Sequence, residues 1–202
     1  MRRTLVIAAA AVAALALGAA PHALERTGLA SAAPGPTGAS LDNLDQTWTS
    51  EEGARTPLRA LAGKPVVAAM GYTTCKNICP AIVADMMWIE KHLMPAEAEH
   101  VRFAFFSLDP AADTPERLKL YAEGHGLDAP RWTLLTADDD AIRELAQALN
   151  IGYRPDGQGG FDHSAVISLI DAKGEIVFQQ RGPAASSEEL LGKLRALLSG
   201  AE

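Results

Sequence analysis

The chain is poor in cysteine: 202 residues hold two, Cys75 and Cys79. That excludes a scaffold stapled by several disulfides. Basic residues are outnumbered, 18 Lys and Arg against 25 Asp and Glu, for a net charge of −7. Charge of that sign argues against a nucleic-acid partner and serves mainly solubility. No internal repeat is present, which leaves a single ordinary domain with an apolar share of 48% to fill its core. Outside the N-terminus no apolar run approaches the roughly 20 residues of a spanning helix. No cysteine stands near the N-terminal apolar run to take a lipid, and Arg2-Arg3 lack the flanking context of a twin-arginine signal.

What the N-terminus does have is Met1-Arg2-Arg3-Thr4 followed by the apolar run Leu5 to Ala20. This is the pattern of a basic n-region and a hydrophobic h-region. Small residues at Ala20, at Ala23 and at Ala30-Ser31-Ala32 offer cleavage points. Residues 1–33 are therefore expected to be a signal peptide or an uncleaved N-terminal anchor, and the protein to be exported to the periplasm. Removing them takes away Arg2, Arg3, Arg26 and Glu25 and moves the net charge to about −9. Residues 34–40, rich in Gly, Pro and Ser, read as a flexible tether, and 41–202 as the folded domain.

The domain is organised around Met70-Gly71-Tyr72-Thr73-Thr74-Cys75-Lys76-Asn77-Ile78-Cys79-Pro80. Val66 to Met70 reads as a buried strand, and Ile82, Met86, Ile89 and Leu93 then recur at helical spacing. Pro80 suits a first helical turn, where its missing N–H costs nothing. Cys79 is thus expected at the helix N-terminus, whose partial positive charge favours thiolate over thiol. A structural disulfide is the plain reading of two cysteines in an exported chain. A bridge closing so small a loop removes little unfolded-state entropy, however, so a redox or metal pair fits better.

Further along, Val101 to Leu108 reads as a second buried strand, and Thr114 with Pro115 as the start of a helix ended near Gly124 or Gly126. Trp132 to Leu135 is a third strand, and Asp138 caps a helix carrying Ile142, Leu145 and Leu149, closed by Asn150. Tyr153 to Phe161 is expected to hold no regular element. Ala165 to Ile170 and Glu175 to Gln179 form a hairpin around Asp171-Ala172-Lys173-Gly174, and Ser187 caps the last helix. Near the start, Leu44 to Trp48 and Thr56 to Leu61 flank Gly53 as a short hairpin. The sum is a three-layer α/β domain with a central mixed sheet and flanking helices.

A strand running into a two-cysteine turn, with a closing hairpin and helix, resembles the thioredoxin-like fold. Gly71 to Pro80 is similar to the C-x-x-x-C-P motif of the Sco/SenC family of copper-binding cytochrome oxidase assembly proteins. Ser107-Leu108-Asp109-Pro110 with Asp113-Thr114-Pro115, and Asp162-His163-Ser164, resemble two further signatures of that family. The chain departs from it at Thr74 and Lys76-Asn77, where relatives often carry His or Pro-Asp, and at Met70, where an aromatic is common.

The resemblance implies that Cys75, Cys79 and His163 bind copper. Two thiolates favour Cu(I), and an imidazole lets a site also hold Cu(II). If Cys75 to Cys79 were helical, their i to i+4 spacing would put both sulfurs on one face. Asp162 would then orient the histidine ring, and Lys76 would depress a cysteine pKa or stand as a solvated loop lysine. The implied function is a metallochaperone, a monomer that passes copper to a centre of a membrane respiratory oxidase and works beside other copper chaperones. The alternative is a thiol-disulfide oxidoreductase acting through Cys75 and Cys79 to prepare partner cysteines for metal. A peroxidase of this fold places a Thr three residues before its reactive cysteine, where this chain has Tyr72.

Four other histidines lack partners at metal spacing. His92, His100 and His125 read as surface residues, and His22 falls in the leader. Met86, Met87 and Met94 could form a methionine copper patch, but Met86 lies on the apolar stripe with Ile82 and Ile89, so the core reading is preferred. Asp109 and Asp113 could join the site or a partner surface, but turn and cap chemistry around Pro110 and Pro115 is the reading favoured.

Overall fold

Val66–Gly71 is buried at all six positions, as a strand covered on both faces must be. In the computed structural model, which describes residues 40–183 and 187–200, this strand is flanked by neighbours on both sides. The expected leader, most of the tether and His22 lie outside the described residues. No helix among the described residues is long and apolar enough to cross a membrane.

The elements in chain order are β1 (Thr47–Ser50), β2 (Arg55–Pro57), β3 (Val66–Gly71), α1 (Cys79–His92), α2 (Pro95–Ala98), β4 (Arg102–Ser107) and α3 (Pro115–His125). There follow β5 (Trp132–Thr136), α4 (Asp139–Ala148), β6 (Tyr153–Pro155), β7 (Phe161–His163), β8 (Val166–Ile170), β9 (Ile176–Arg181) and α5 (Glu188–Ser199). Seven strands form one mixed sheet in the order β2-β1-β5-β4-β3-β8-β9. β3, β4 and β5 run parallel, joined by helical crossovers, while β8 pairs antiparallel with β3 and β9 antiparallel with β8. The fold is the expected thioredoxin-like arrangement of a mixed sheet between helical layers.

Alternation along β3 divides the core. Val67 and Ala69 pack with Ile82, Met86 and Ile89 of α1, Leu118 of α3 and Leu190 of α5. Val66, Ala68 and Met70 face the other way, onto Trp48, onto Ile142 and Leu145 of α4, and onto Leu149 at its C-cap. Met86 and Ile89 are fully buried, each burial contributing roughly 1.5–3 kcal/mol. Met86 is thus a core residue, whereas Met94 is 59% exposed.

Helix ends follow the sequence signals in most places. The Thr114 and Asp138 side chains accept from the N–H groups of Arg117 and Ala141, and Gly126 closes α3 in the left-handed conformation. Asn150 also takes a positive φ of 51°, just beyond α4.

Three expectations need correction. Tyr153 to Phe161 is not irregular throughout, because β6 and β7 pair antiparallel as a separate two-stranded hairpin. Each strand has only three residues, too few for alternation to show in the sequence. The helical spacing that reaches Leu93 runs one residue past α1, which ends at His92, and Pro95 then opens the short α2 at its first position. Ser187 stands at the N-cap of α5, yet its buried Oγ has no hydrogen-bond partner among the described residues.

Candidate metal centre

The C-terminal end of β3 delivers the cysteine loop. Gly71 closes the strand where no side chain fits: a Cβ there would lie 2.9 Å from Cys79 Sγ and 2.9 Å from Phe105 Cζ. Cys79 is the first residue of α1 and is almost fully buried, with Pro80 following it in the first turn. Cys75 is not helical, contrary to the i to i+4 expectation. It lies half-buried in the turn ahead of α1, its own N–H donating to the Tyr72 carbonyl at 3.2 Å.

The two sulfurs differ in electrostatic setting. Burial opposes ionisation of Cys75, but N–H groups at the start of α1 outweigh it and bring its pKa below the ordinary thiol value. Those donors are the backbone N–H groups of Cys79, Asn77 and Ile78, and the Cys79 N–H reaches Cys75 Sγ at 3.5 Å. They are helix-terminal groups with no partner inside the helix. Lys76 is exposed and is not among them. Cys79 moves the opposite way: burial first, then the neighbouring Cys75 and Asp113, raise its pKa well above the thiol range.

His163 ends β7 and turns its ring toward this loop. Its Nε2 lies 3.0 Å from Cys79 Sγ, while its Nδ1 lies 3.2 Å from the Ser164 carbonyl. A carbonyl only accepts, so the proton sits on Nδ1 and the Nε2 lone pair faces the sulfurs. Burial pushes the His163 pKa down and keeps the ring neutral, the form that ligates. Cys75 Sγ, Cys79 Sγ and one His163 ring nitrogen all lie within 4.8 Å of one another, and no other such group of three occurs among the described residues. A donor set of two thiolates and one imidazole suits a soft ion such as Cu(I) and tolerates Cu(II).

Residues 40–199 match the SCO1/SenC family model. The chain belongs to the SCO1/SenC family. It is 30% identical over 139 residues to the SCO1 protein homolog of Bacillus subtilis, an alignment covering 67% of this chain and 72% of that protein. It is 28% identical over 157 residues to the protein SenC of Rhodobacter capsulatus, covering 76% and 69%. The structure of Bradyrhizobium japonicum ScoI with copper bound matches with a TM-score of 0.64 at 27% identity, over 75% of this chain and 96% of that one.

In this SCO1/SenC chain the cysteine loop is also held from outside the cluster. The fully buried Asp113 carboxylate accepts from the Thr73 hydroxyl at 2.6 Å, from the Thr73 N–H at 3.1 Å and from the Ser107 hydroxyl at 2.6 Å. Thr73 Oγ1 accepts in turn from Arg117 Nε at 3.3 Å. The Asp-Thr-Pro stretch thus ties the β4–α3 connection to the cysteine loop, a role beyond the turn chemistry that sequence suggested for Asp113. Asp109 does behave as a turn residue, its carboxylate accepting from the Ala112 N–H.

Asp162 does not orient the histidine. Its carboxylate pairs with Arg154 at 3.1 Å, an exposed ion pair across the β6–β7 hairpin, and the Ser164 carbonyl fills the expected role at Nδ1. His92 and His125 are exposed and stack on Trp88 and Tyr121 of their own helices, and His100 is exposed as well. Tyr72 was legible only as a residue unlike the peroxidase threonine. Its buried side chain spans from the cysteine loop to β7.

Proposed function

We propose that this protein binds one copper ion through Cys75 Sγ, Cys79 Sγ and His163 Nε2 and delivers it to a copper centre of a membrane respiratory oxidase during assembly. The observation that carries this reading is the convergence of these three donors, from a loop, a helix start and a separate hairpin, within 4.8 Å. Membership of a family with a solved copper-bound member supports it.

The chemistry of the residues agrees with a transferable cargo. The Cys79 proton must leave for its sulfur to ligate, so copper uptake releases protons and tightens as pH rises. Cys75, half-buried at the mouth, is the donor an incoming ligand of the receiving centre can reach and replace. Export to the periplasm, with the N-terminal segment cleaved or kept as a tether, would put a monomeric domain beside such an oxidase and other copper chaperones.

The test is a titration of the reduced protein with Cu(I) against a competing chelator, alongside Cys75→Ser, Cys79→Ser and His163→Ala. One ion per chain is the expected result, with each cysteine substitution weakening Cu(I) binding and His163→Ala weakening the binding of Cu(II) in a parallel titration. Copper binding that survives both cysteine substitutions would sink the reading. A His163→Ala protein that binds both copper oxidation states like wild type would shift the function toward thiol exchange by Cys75 and Cys79.

A further inference from the structure

Two of the three donors sit on one loop and its helix, but the third rides on a hairpin that is not part of the main sheet. β6 and β7 pair only with each other. At the hairpin's base the Ser164 N–H donates to the Gly152 carbonyl at 2.8 Å, and nothing in the sheet ladder fixes how the hairpin leans over the cysteines. One side chain of the cysteine loop does reach it.

The Tyr72 hydroxyl lies 3.1 Å from the Phe161 carbonyl and 3.1 Å from the Phe161 nitrogen. It donates to the first and accepts from the second, so both backbone groups of Phe161 are engaged by one oxygen. Phe161 is two positions from His163 on the same short strand, hence on the same face of it. The Tyr72 ring, 6% exposed, packs edge-on against the rings of Phe161 and His163 at centroid distances of 5.7 and 6.0 Å.

The hairpin is shaped to admit that hydroxyl. A Cβ on Gly160 would lie 2.8 Å from Tyr72 Oη and 2.9 Å from Asp156 Oδ2, so a side chain there would push both groups out of place. Asp156 holds the turn in place by accepting from the N–H groups of Gln158 and Gly160 at 2.7 and 2.9 Å. Apart from the Cys79–His163 contact itself, these are the hydrogen bonds between the cysteine loop and the hairpin among the described residues.

We propose that the Tyr72 hydroxyl is the positioning group for His163, latching the hairpin over the cysteine loop and so deciding whether the site offers three donors or two. The consequence is selectivity between oxidation states, and it rests on the copper reading above. Two thiolates alone satisfy Cu(I), whereas Cu(II) draws on the imidazole. A hairpin released from Tyr72 carries His163 away from the sulfurs and leaves the thiolate pair intact.

Tyr72→Phe keeps the ring and removes only the hydroxyl, and Gly160→Ala disturbs the same contact from the hairpin side. The measurements are amide hydrogen exchange at Phe161 in the metal-free reduced protein, and separate Cu(I) and Cu(II) affinities with the Cu(II)–thiolate absorption. The expected result for both variants is faster exchange at Phe161 and Cu(II) binding weaker by about 10- to 100-fold, the range for losing a group that orients a ligand. Cu(I) affinity stays unchanged. Unaltered exchange at Phe161 in Tyr72→Phe would overturn the latch, and so would equal weakening of both copper states. If wild type took up no copper, the copper reading would fall on its own, and exchange at Phe161 would still decide whether Tyr72 holds the hairpin.

Discussion

Cys79 Sγ and His163 Nε2 stand 3.0 Å apart although 84 residues separate them in sequence. The contact joins the start of α1 to the end of β7, and it has a preferred direction. With the ring proton held on Nδ1 by the Ser164 carbonyl, Nε2 accepts from the Cys79 thiol.

That arrangement makes the two cysteines unequal toward thiol reagents. Cys75 is half-buried at the mouth with its thiolate stabilised by N–H donors, while Cys79 is 1% exposed with its pKa raised by burial. Alkylation of the reduced protein by iodoacetamide should modify Cys75 first, with Cys79 reacting only on unfolding. Mass spectrometry of the singly alkylated species reads the site directly. A majority of label on Cys79 would contradict the burial and hydrogen bonding described for both thiols.

Gly71→Ala tests how tightly the strand end is packed against the sulfur. The new methyl would come within 2.9 Å of both Cys79 Sγ and Phe105 Cζ, and neither the first turn of α1 nor the buried Phe105 ring has space to retreat. Overpacking of this kind typically costs about 1–3 kcal/mol. Urea denaturation should show a lower midpoint, together with weaker copper binding as Cys79 is displaced. Wild-type values on both measures would mean that the loop is softer than its packing implies.

Much of the fold was legible because local chemistry and tertiary packing agree. The six buried positions of β3, the proline after Cys79 and the Thr114 and Asp138 caps each carry a local signal that the sheet then reinforces. The β6–β7 hairpin was not legible. Its strands are three residues long, and its place depends on the Tyr72 hydroxyl meeting a backbone 89 residues away. The metal donors were readable as residue types through a family pattern, but the geometry of Cys75 was misjudged. Spacing alone cannot tell a helical i to i+4 pair from a loop residue whose sulfur is met by the helix N-terminus. Asp162 was misassigned for a related reason: adjacency in sequence to His163 on a strand points the two side chains to opposite faces.

The methionine and histidine assignments can be separated by one set of variants. Met86→Ala removes a fully buried side chain and should cost about 2–5 kcal/mol in stability. Copper stoichiometry should stay at that of wild type, because Met86 packs with Ile82 and Ile89. Met94→Ala, at an exposed position, should change stability by less than about 0.5 kcal/mol. His92→Ala and His125→Ala should likewise leave stoichiometry unchanged, since each ring stacks on an aromatic neighbour of its own helix. Loss of a copper ion in any of these four would reveal a donor outside the Cys75, Cys79 and His163 group.

Asp113 gives the pH dependence that the structure predicts most directly. Burial raises its carboxyl pKa above the ordinary value of 3.8, against the lowering effect of the Ser107 and Thr73 donors. In the unfolded chain the group ionises at its ordinary value, so over the interval up to the folded pKa the folded state holds the proton and the unfolded state does not. The unfolded state then binds fewer protons, and stability falls as pH rises through that interval. The contribution is fully present below the unfolded pKa and lost above the folded one. Asp113→Ala should abolish this slope. Because the Thr73 N–H, the Thr73 hydroxyl and the Ser107 hydroxyl would lose their acceptor, the variant should also be less stable by about 1–3 kcal/mol at every pH. Thermal melts of both proteins between pH 3 and roughly pH 7 measure the two effects separately. A wild-type minus Asp113→Ala difference that grew with pH would reverse the sign and place Asp113 in an ion pair instead of a buried clasp.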